Sequence, residues 1–199
     1  MRSRVRARAW ALLPICLVAA ACATRGPVPH AGTRATGDDA SRCEPTTLNV
    51  VLISNADATQ REKLEDAARR LSVLMSTPEF VEACAARPMN RTGGRSSASV
   101  CRQVACAGRQ DLKIGLYHDA AMPTVAFEKR GVVFLNAAKS RAGSPSNLAH
   151  EFAHVLGYSH VTWWGWWREN SVPYALADVV ETLDRSRSDR TAPVDIDQD

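Results

Sequence analysis

Residues 150–160 read His-Glu-Phe-Ala-His-Val-Leu-Gly-Tyr-Ser-His, and the spacing of the three histidines decides how the rest of the chain is read. Just upstream, Gly143-Ser144-Pro145-Ser146-Asn147 supplies a helix start, with Ser144 able to cap and Pro145 suited to the first turn. On such a helix His150 and His154 stand one turn apart and present both imidazoles on one face, the spacing a tetrahedral zinc needs. Glu151 is turned about 100° from His150. It does not join the ligand face easily, but it can act as general base towards a water at the site. Gly157 is the natural helix stop, because glycine adopts the left-handed conformation without steric cost, and the reversed chain can bring His160 round as a third ligand. Three neutral imidazoles leave the fourth zinc position open, which is a catalytic rather than a structural arrangement. A competing arrangement takes its third ligand from a later helix, where Glu169 or Glu181 would serve. At this composition, three His, one Glu and one Gly at those offsets arise by chance on the order of once in 100,000 such chains. An amphipathic helix that merely happens to carry histidines is therefore set aside.

Working outward towards the N-terminus, Thr124–Phe127 and Gly131–Asn136 read as a hairpin around Glu128-Lys129-Arg130, and Asp111–His118 alternates like a strand. His118, at that strand's end, reads as structural. Thr46–Ser54 is β-branched and apolar, and Asn55, Asp57 and Thr59 are cap candidates for a long helix over Gln60–Ala86. In that helix Leu64, Ala67, Ala68, Leu71, Leu74 and Met75 recur at three and four, which gives one apolar face, and Pro78 can interrupt or bend it. Residues 87–110 carry five arginines, Gly93-Gly94, a serine cluster and no acid, and read as a long basic loop. On the C-terminal side, Trp163-Trp164-Gly165-Trp166-Trp167 can wall a pocket, meet a membrane interface or pack a small C-terminal subdomain. A final helix is expected over residues 174–185, followed by a polar, disordered tail over 186–199.

The chain has 199 residues, 25 Lys plus Arg against 21 Asp plus Glu, with 45% hydrophobic and 23% charged side chains. That composition suits a globular domain and excludes a wholly disordered chain. The basic surplus is confined to Arg2, Arg4, Arg6 and Arg8. Beyond residue 21 the charges balance, which argues against a nucleic-acid binder. Those arginines precede an uncharged stretch from Ala9 to Ala21, shorter than the roughly 20 apolar residues a spanning helix needs, and it reads as a secretory signal over residues 1–21. The stretch ends in Val18-Ala19-Ala20-Ala21-Cys22. It resembles a bacterial lipobox, which implies a lipidated Cys22 anchored to a membrane surface; cleavage by ordinary signal peptidase would instead release a soluble protein. Residues 22–42 lack bulky apolar side chains and read as a flexible tether, with His30 solvated in it. Cys43, Cys84, Cys101 and Cys106 then remain, and an exported chain with four cysteines suggests two disulfides. Three connectivities are open. The ends of the first strand and the long helix lie together if the two run antiparallel, which favours Cys43 with Cys84 and leaves Cys101 with Cys106. The absence of a CxxC spacing disfavours a cysteine zinc site.

HEFAHVLGYSH resembles the HExxHxxGxxH signature of the metzincin clan of zinc metallopeptidases. The order of strand, long helix, strands, edge strand, zinc helix and closing helix is also similar to that clan's catalytic domain. The resemblance implies an α+β domain over residues 43–185, with a twisted mixed sheet, a long helix, a zinc-binding active-site helix and a small C-terminal helical subdomain. It implies His150, His154 and His160 as zinc ligands and Glu151 as the base. The segment Gly131, Val132, Val133, Phe134, Leu135 and Asn136 resembles the edge strand that pairs with an extended substrate. The clan's methionine turn beneath the zinc has no counterpart, since no methionine follows Met122; Ser171-Val172-Pro173-Tyr174 is the nearest candidate, with Pro173 in the methionine's place. Tyr174 resembles the tyrosine that approaches zinc or stabilises the oxyanion in some members, and it reads equally as a buried residue opening the final helix.

The expectation is a monomeric, exported zinc peptidase, soluble or lipid-anchored in a bacterial envelope, that acts on peptides or proteins. The alternative is a non-catalytic zinc-containing lipoprotein that binds peptides or envelope components. Glu151 favours the enzyme, since binding alone does not require that carboxylate. A hydrolase of non-peptide amides is not separable from a peptidase by sequence.

Overall fold

The β-branched stretch near residue 46 forms the first strand, β1 (Glu44–Leu52), with Thr46 and Leu48 buried on one face. The computed structural model describes residues 43–160 and 165–191. The signal, Cys22, the tether with His30, Trp163 and Trp164, and residues 192–199 lie outside the described residues.

Asp57 caps α1 (Ala58–Met75) through a reciprocal pair: its carboxylate accepts from the Gln60 amide at 2.7 Å, and the Gln60 side chain accepts from the Asp57 amide at 3.2 Å. The apolar face is the one the sequence periodicity predicts, with Leu64, Ala67, Ala68, Leu71, Leu74 and Met75 buried. The helix does not run on to Ala86. Thr77 accepts from the Phe80 amide and caps a second helix, α2 (Pro78–Ala86), in which Pro78 takes the first turn, where its missing N–H costs nothing.

The expected basic loop is also different. Ser96 caps α3 (Ser97–Ala105), whose buried face is Val100, Cys101, Val104 and Ala105, and the second strand, β2 (Ala107–Tyr117), starts at once. Two further strands, β3 (Ala126–Lys129) and β4 (Val132–Asn136), form a hairpin whose turn is Arg130-Gly131; both turn residues have positive φ, 57° and 77°, which suits the twist of the flanking strands.

The sheet order is β1-β2-β4-β3, with β1, β2 and β4 parallel and β3 antiparallel to β4. The segment Gly131–Asn136 is therefore not the edge. Its residues 132–136 lie between β2 and β3, because the hairpin partner occupies the side that would otherwise be free, and the edge strand on that side is β3, with β1 at the opposite edge. Parallel pairing requires long crossovers, and α1 to α3 provide the one between β1 and β2. Val133 and Leu135 of β4 join Leu112 and Ile114 of β2 in a core completed by α1, α4 (Pro145–Val155) and α6 (Val172–Thr191). Between α4 and α6 lies the short α5 (Trp166–Glu169). The result is an α+β arrangement of a small mixed sheet and helices. Residues 186–191, expected in the tail, continue α6, where Ser186 and Arg190 bond backbone carbonyls one turn back.

The disulfides are Cys43–Cys106 and Cys84–Cys101. This corrects the pairing favoured by end-to-end proximity of strand and helix. Parallel pairing sets Glu44 opposite Ala107, so Cys43 and Cys106, each one residue earlier, stand side by side; Cys84 then meets Cys101 where α2 packs on α3. Sequence separations of 63 and 17 predict stabilisations of about 4 and about 3 kcal/mol from loop closure. The double variant Cys84→Ser, Cys101→Ser is expected to lose about 2–4 kcal/mol, measured by denaturant unfolding; an unchanged midpoint would show that the α2–α3 junction holds without its crosslink.

Candidate metal centre

Ser144 caps α4 by accepting from the Asn147 amide at 3.2 Å, and Pro145 occupies the first turn, as the sequence predicts. Leu148, Ala149, Phe152 and Ala153 bury one face of the helix, which turns His150 and His154 to its rim. The helix ends in a pair of backbone bonds, Gly157 N–H to His154 C=O at 2.9 Å and Tyr158 N–H to Ala153 C=O at 3.0 Å. Gly157 has φ of 90°, and a Cβ there would meet no atom within 4 Å, so the glycine is required by the turn itself and not by crowding.

The reversal brings His160 back. His150, His154 and His160 each offer a nitrogen, all within 4.8 Å of one another. Nitrogens around a tetrahedral zinc at about 2.0–2.1 Å stand about 3.3 Å apart, so small side-chain rotations close the set on an ion. Among the described residues this is the one such group, and the rival third ligands are elsewhere: Glu181 is paired with Arg185 at 2.8 Å, and Glu169 is exposed on α5. His118 is exposed in the loop after β2.

One of the imidazoles is oriented by a backbone carbonyl. His154 Nδ1 lies 2.8 Å from Tyr158 C=O, and since a carbonyl can only accept, Nδ1 carries the proton and Nε2 keeps its lone pair. The turn that ends the helix thus also fixes a ligand's tautomer. The backbone of Pro173 acts on His150 against the larger effect of burial, favouring a protonated ring. Pro173 is buried at the start of α6. Burial first, then the neighbouring His154, His160 and Arg168, push His150 down to about 3, and burial also lowers His154, so both of these rings favour the neutral form that can bind a cation.

Glu151 is 2% exposed, and its Oε2 has no hydrogen-bond partner among the described residues. Burial, with a smaller contribution from Glu128, raises its carboxyl to about 7. A buried, unpartnered carboxylate oxygen is costly, and a cation at the neighbouring histidines would offset that cost. Tyr174 closes the other side, its ring 4.5 Å from that of His150 and 5.3 Å from that of His160. Its hydroxyl accepts from Arg168 Nε at 2.8 Å and from a second guanidinium nitrogen, which leaves the phenolic proton free to be donated elsewhere.

Arg168 and Glu128 are members of this neighbourhood that sequence reasoning missed. Neither sits in a motif; Arg168 is six residues before Tyr174, and Glu128 belongs to a hairpin segment read as a turn. Asn136, named as part of the edge strand, has another part: fully buried, it accepts from the Asp119 and Ala138 amides and donates to the carbonyls of Asp119 and Thr124, pinning the segment that leads into β3. For the tryptophan cluster at 163–167, only the backbone of residues 165–167 is described. Two disulfides are compatible with an exported protein, and among the described residues no helix is long and apolar enough to cross a membrane.

Compared with known proteins, the chain matches no family model, no curated protein and no solved structure.

Proposed function

We propose that the protein is a zinc-dependent peptidase, similar in its catalytic arrangement to the metzincins and divergent from them in lacking the methionine turn. The observation that carries this reading is the convergence of three imidazoles beside the buried carboxylate of Glu151, whose Oε2 has no hydrogen-bond partner among the described residues. A purely structural site would have four protein ligands and no need of that carboxylate. The edge strand β3, antiparallel to β4 and in contact with the histidine helix, supports the same reading, because an extended peptide can add to a free ladder there.

His150, His154 and His160 would hold the metal. Zinc there would supply Lewis-acid polarisation of the scissile carbonyl and would lower the pKa of water towards neutrality. Glu151 would take the proton of the attacking water on its unpartnered oxygen and return it to the departing amine. The Tyr158 carbonyl keeps the His154 ring in the ligating tautomer. Tyr174, aimed by Arg168, offers its phenolic proton to the oxygen on which negative charge develops. The chain is exported on this reading, soluble or anchored at Cys22.

The test is incubation of the purified, zinc-loaded protein with a diverse peptide mixture, with and without chelator, and mass-spectrometric mapping of new termini. Cleavage that chelator abolishes and added zinc restores is expected. Zinc and peptide binding with no cleavage at all would replace the peptidase with a binding module.

A further inference from the structure

The β3 edge of the sheet also specifies what kind of side chain it receives. β3 pairs with β4 in a register that sets Ala126 opposite Leu135, Phe127 opposite Phe134 and Glu128 opposite Val133. Asn136 donates to the Val125 carbonyl at 2.9 Å, which makes that opposed pair a hydrogen-bonded one. In an antiparallel ladder the two kinds of pair alternate, so Phe127 and Lys129 spend their backbone groups on β4, whereas Ala126 and Glu128 turn theirs to the open edge. Directly opposed residues project to the same face. Val133 and Leu135 are buried beneath the helices, so Glu128 and Ala126 face that side too, where β3 contacts α4. Phe127 faces the other side, stacked on Phe134 with centroids 5.2 Å apart.

Glu128 thus occupies a position that no other acid shares among the described residues. Its backbone is at the free edge, its side chain is half-buried on the side of the histidine helix, and its carboxylate is anchored by the Gly131 amide across the hairpin turn. Its charge is felt at both His154 and Glu151. Lys129 alternates to the opposite face, and Arg130 is in the turn, so neither neighbour in sequence neutralises it on this side.

We propose that Glu128 is the specificity-determining residue of the site and that the substrates are extended peptides carrying a Lys or Arg side chain close to the scissile bond. A chain lying along Ala126 and Glu128 presents every second side chain to the helix side of the edge, where a fixed, partly desolvated carboxylate rewards a cation and repels an acid. This rests on the peptidase reading and adds the substrate class to it.

The test uses the zinc-loaded protein and quenched peptides identical except for one residue, Lys or Glu, moved through the three positions on either side of the cleaved bond. At one position the parent is expected to favour Lys over Glu by roughly 10- to 100-fold in kcat/KM. Glu128→Gln should bring that ratio close to one, and Glu128→Lys should invert it, with thermal melting checked for both. A parent with no charge preference, or a preference kept in both folded variants, overturns the assignment while leaving the peptidase standing. A parent that cleaves none of the peptides overturns both together.

Discussion

Glu151→Gln is expected to keep the fold and the zinc and to lose peptide cleavage. The amide is nearly isosteric with the carboxylate, and Phe152 and Ala153 on either side of the helix rim keep their packing. None of the three imidazoles is touched. What goes is the only group on α4 able to accept and return a proton beside the histidines. General acid-base catalysis contributes about 100- to 10,000-fold, and a fall in kcat of at least that size should appear with zinc content unchanged. The substitution also removes a buried carboxyl that is costly to ionise, so thermal stability of the metal-free protein should hold or rise slightly. The measurements are single-turnover cleavage, metal content and calorimetric melting on the same preparation. Cleavage near the parent rate with zinc in place would refute the base assignment.

His160→Ala should act on the other half of the site. His160 approaches from the turn beyond Gly157, so its removal should leave α4 intact and delete one of the three proposed ligands. Loss of a group that merely orients a ligand costs about 10- to 100-fold in metal affinity, and loss of the ligand itself should exceed 100-fold. Competition against a chromophoric chelator measures it. Zinc held as tightly as in the parent would send the third ligand back to Glu169 or Glu181, although Glu181 is occupied with Arg185 and Glu169 is exposed on α5.

Local signals carried the parts of this domain that were legible in the sequence. The apolar stripe of α1, the Ser144-Pro145 start of α4 and the Gly157 stop are determined by residues within one or two turns, and each is where the pattern puts it. The convergence of His150, His154 and His160 follows from the same short-range rules. The failures are non-local or masked by composition. In α3 a four-residue buried face hides among serines and arginines, so a helix reads as loop. With that helix unseen, the start of β2 is missed, and with it the parallel register that joins Cys43 to Cys106. The strand order is likewise a tertiary choice: nothing within Gly131–Asn136 says that β3, rather than β4, will be the outermost strand. Glu128 gains its meaning only from that order. Pro78 was legible as a break, but whether a proline bends a helix or opens a new one depends on the cap before it, here Thr77.

The crosslink between Cys43 and Cys106 has a mechanical consequence. β1 and β2 run parallel, and the bridge ties them at the end where the chain enters the domain from residue 42. Tension arriving along that chain would otherwise peel β1 from β2 one hydrogen-bonded rung at a time, the weakest way to load a sheet. The covalent bridge lies ahead of the first rung and passes the pull directly to residue 106, so both strands are drawn together and the ladder is spared. A domain held by its N-terminal end against flow or crowding would then keep β4, and the hairpin edge beside the histidines, in register while under load.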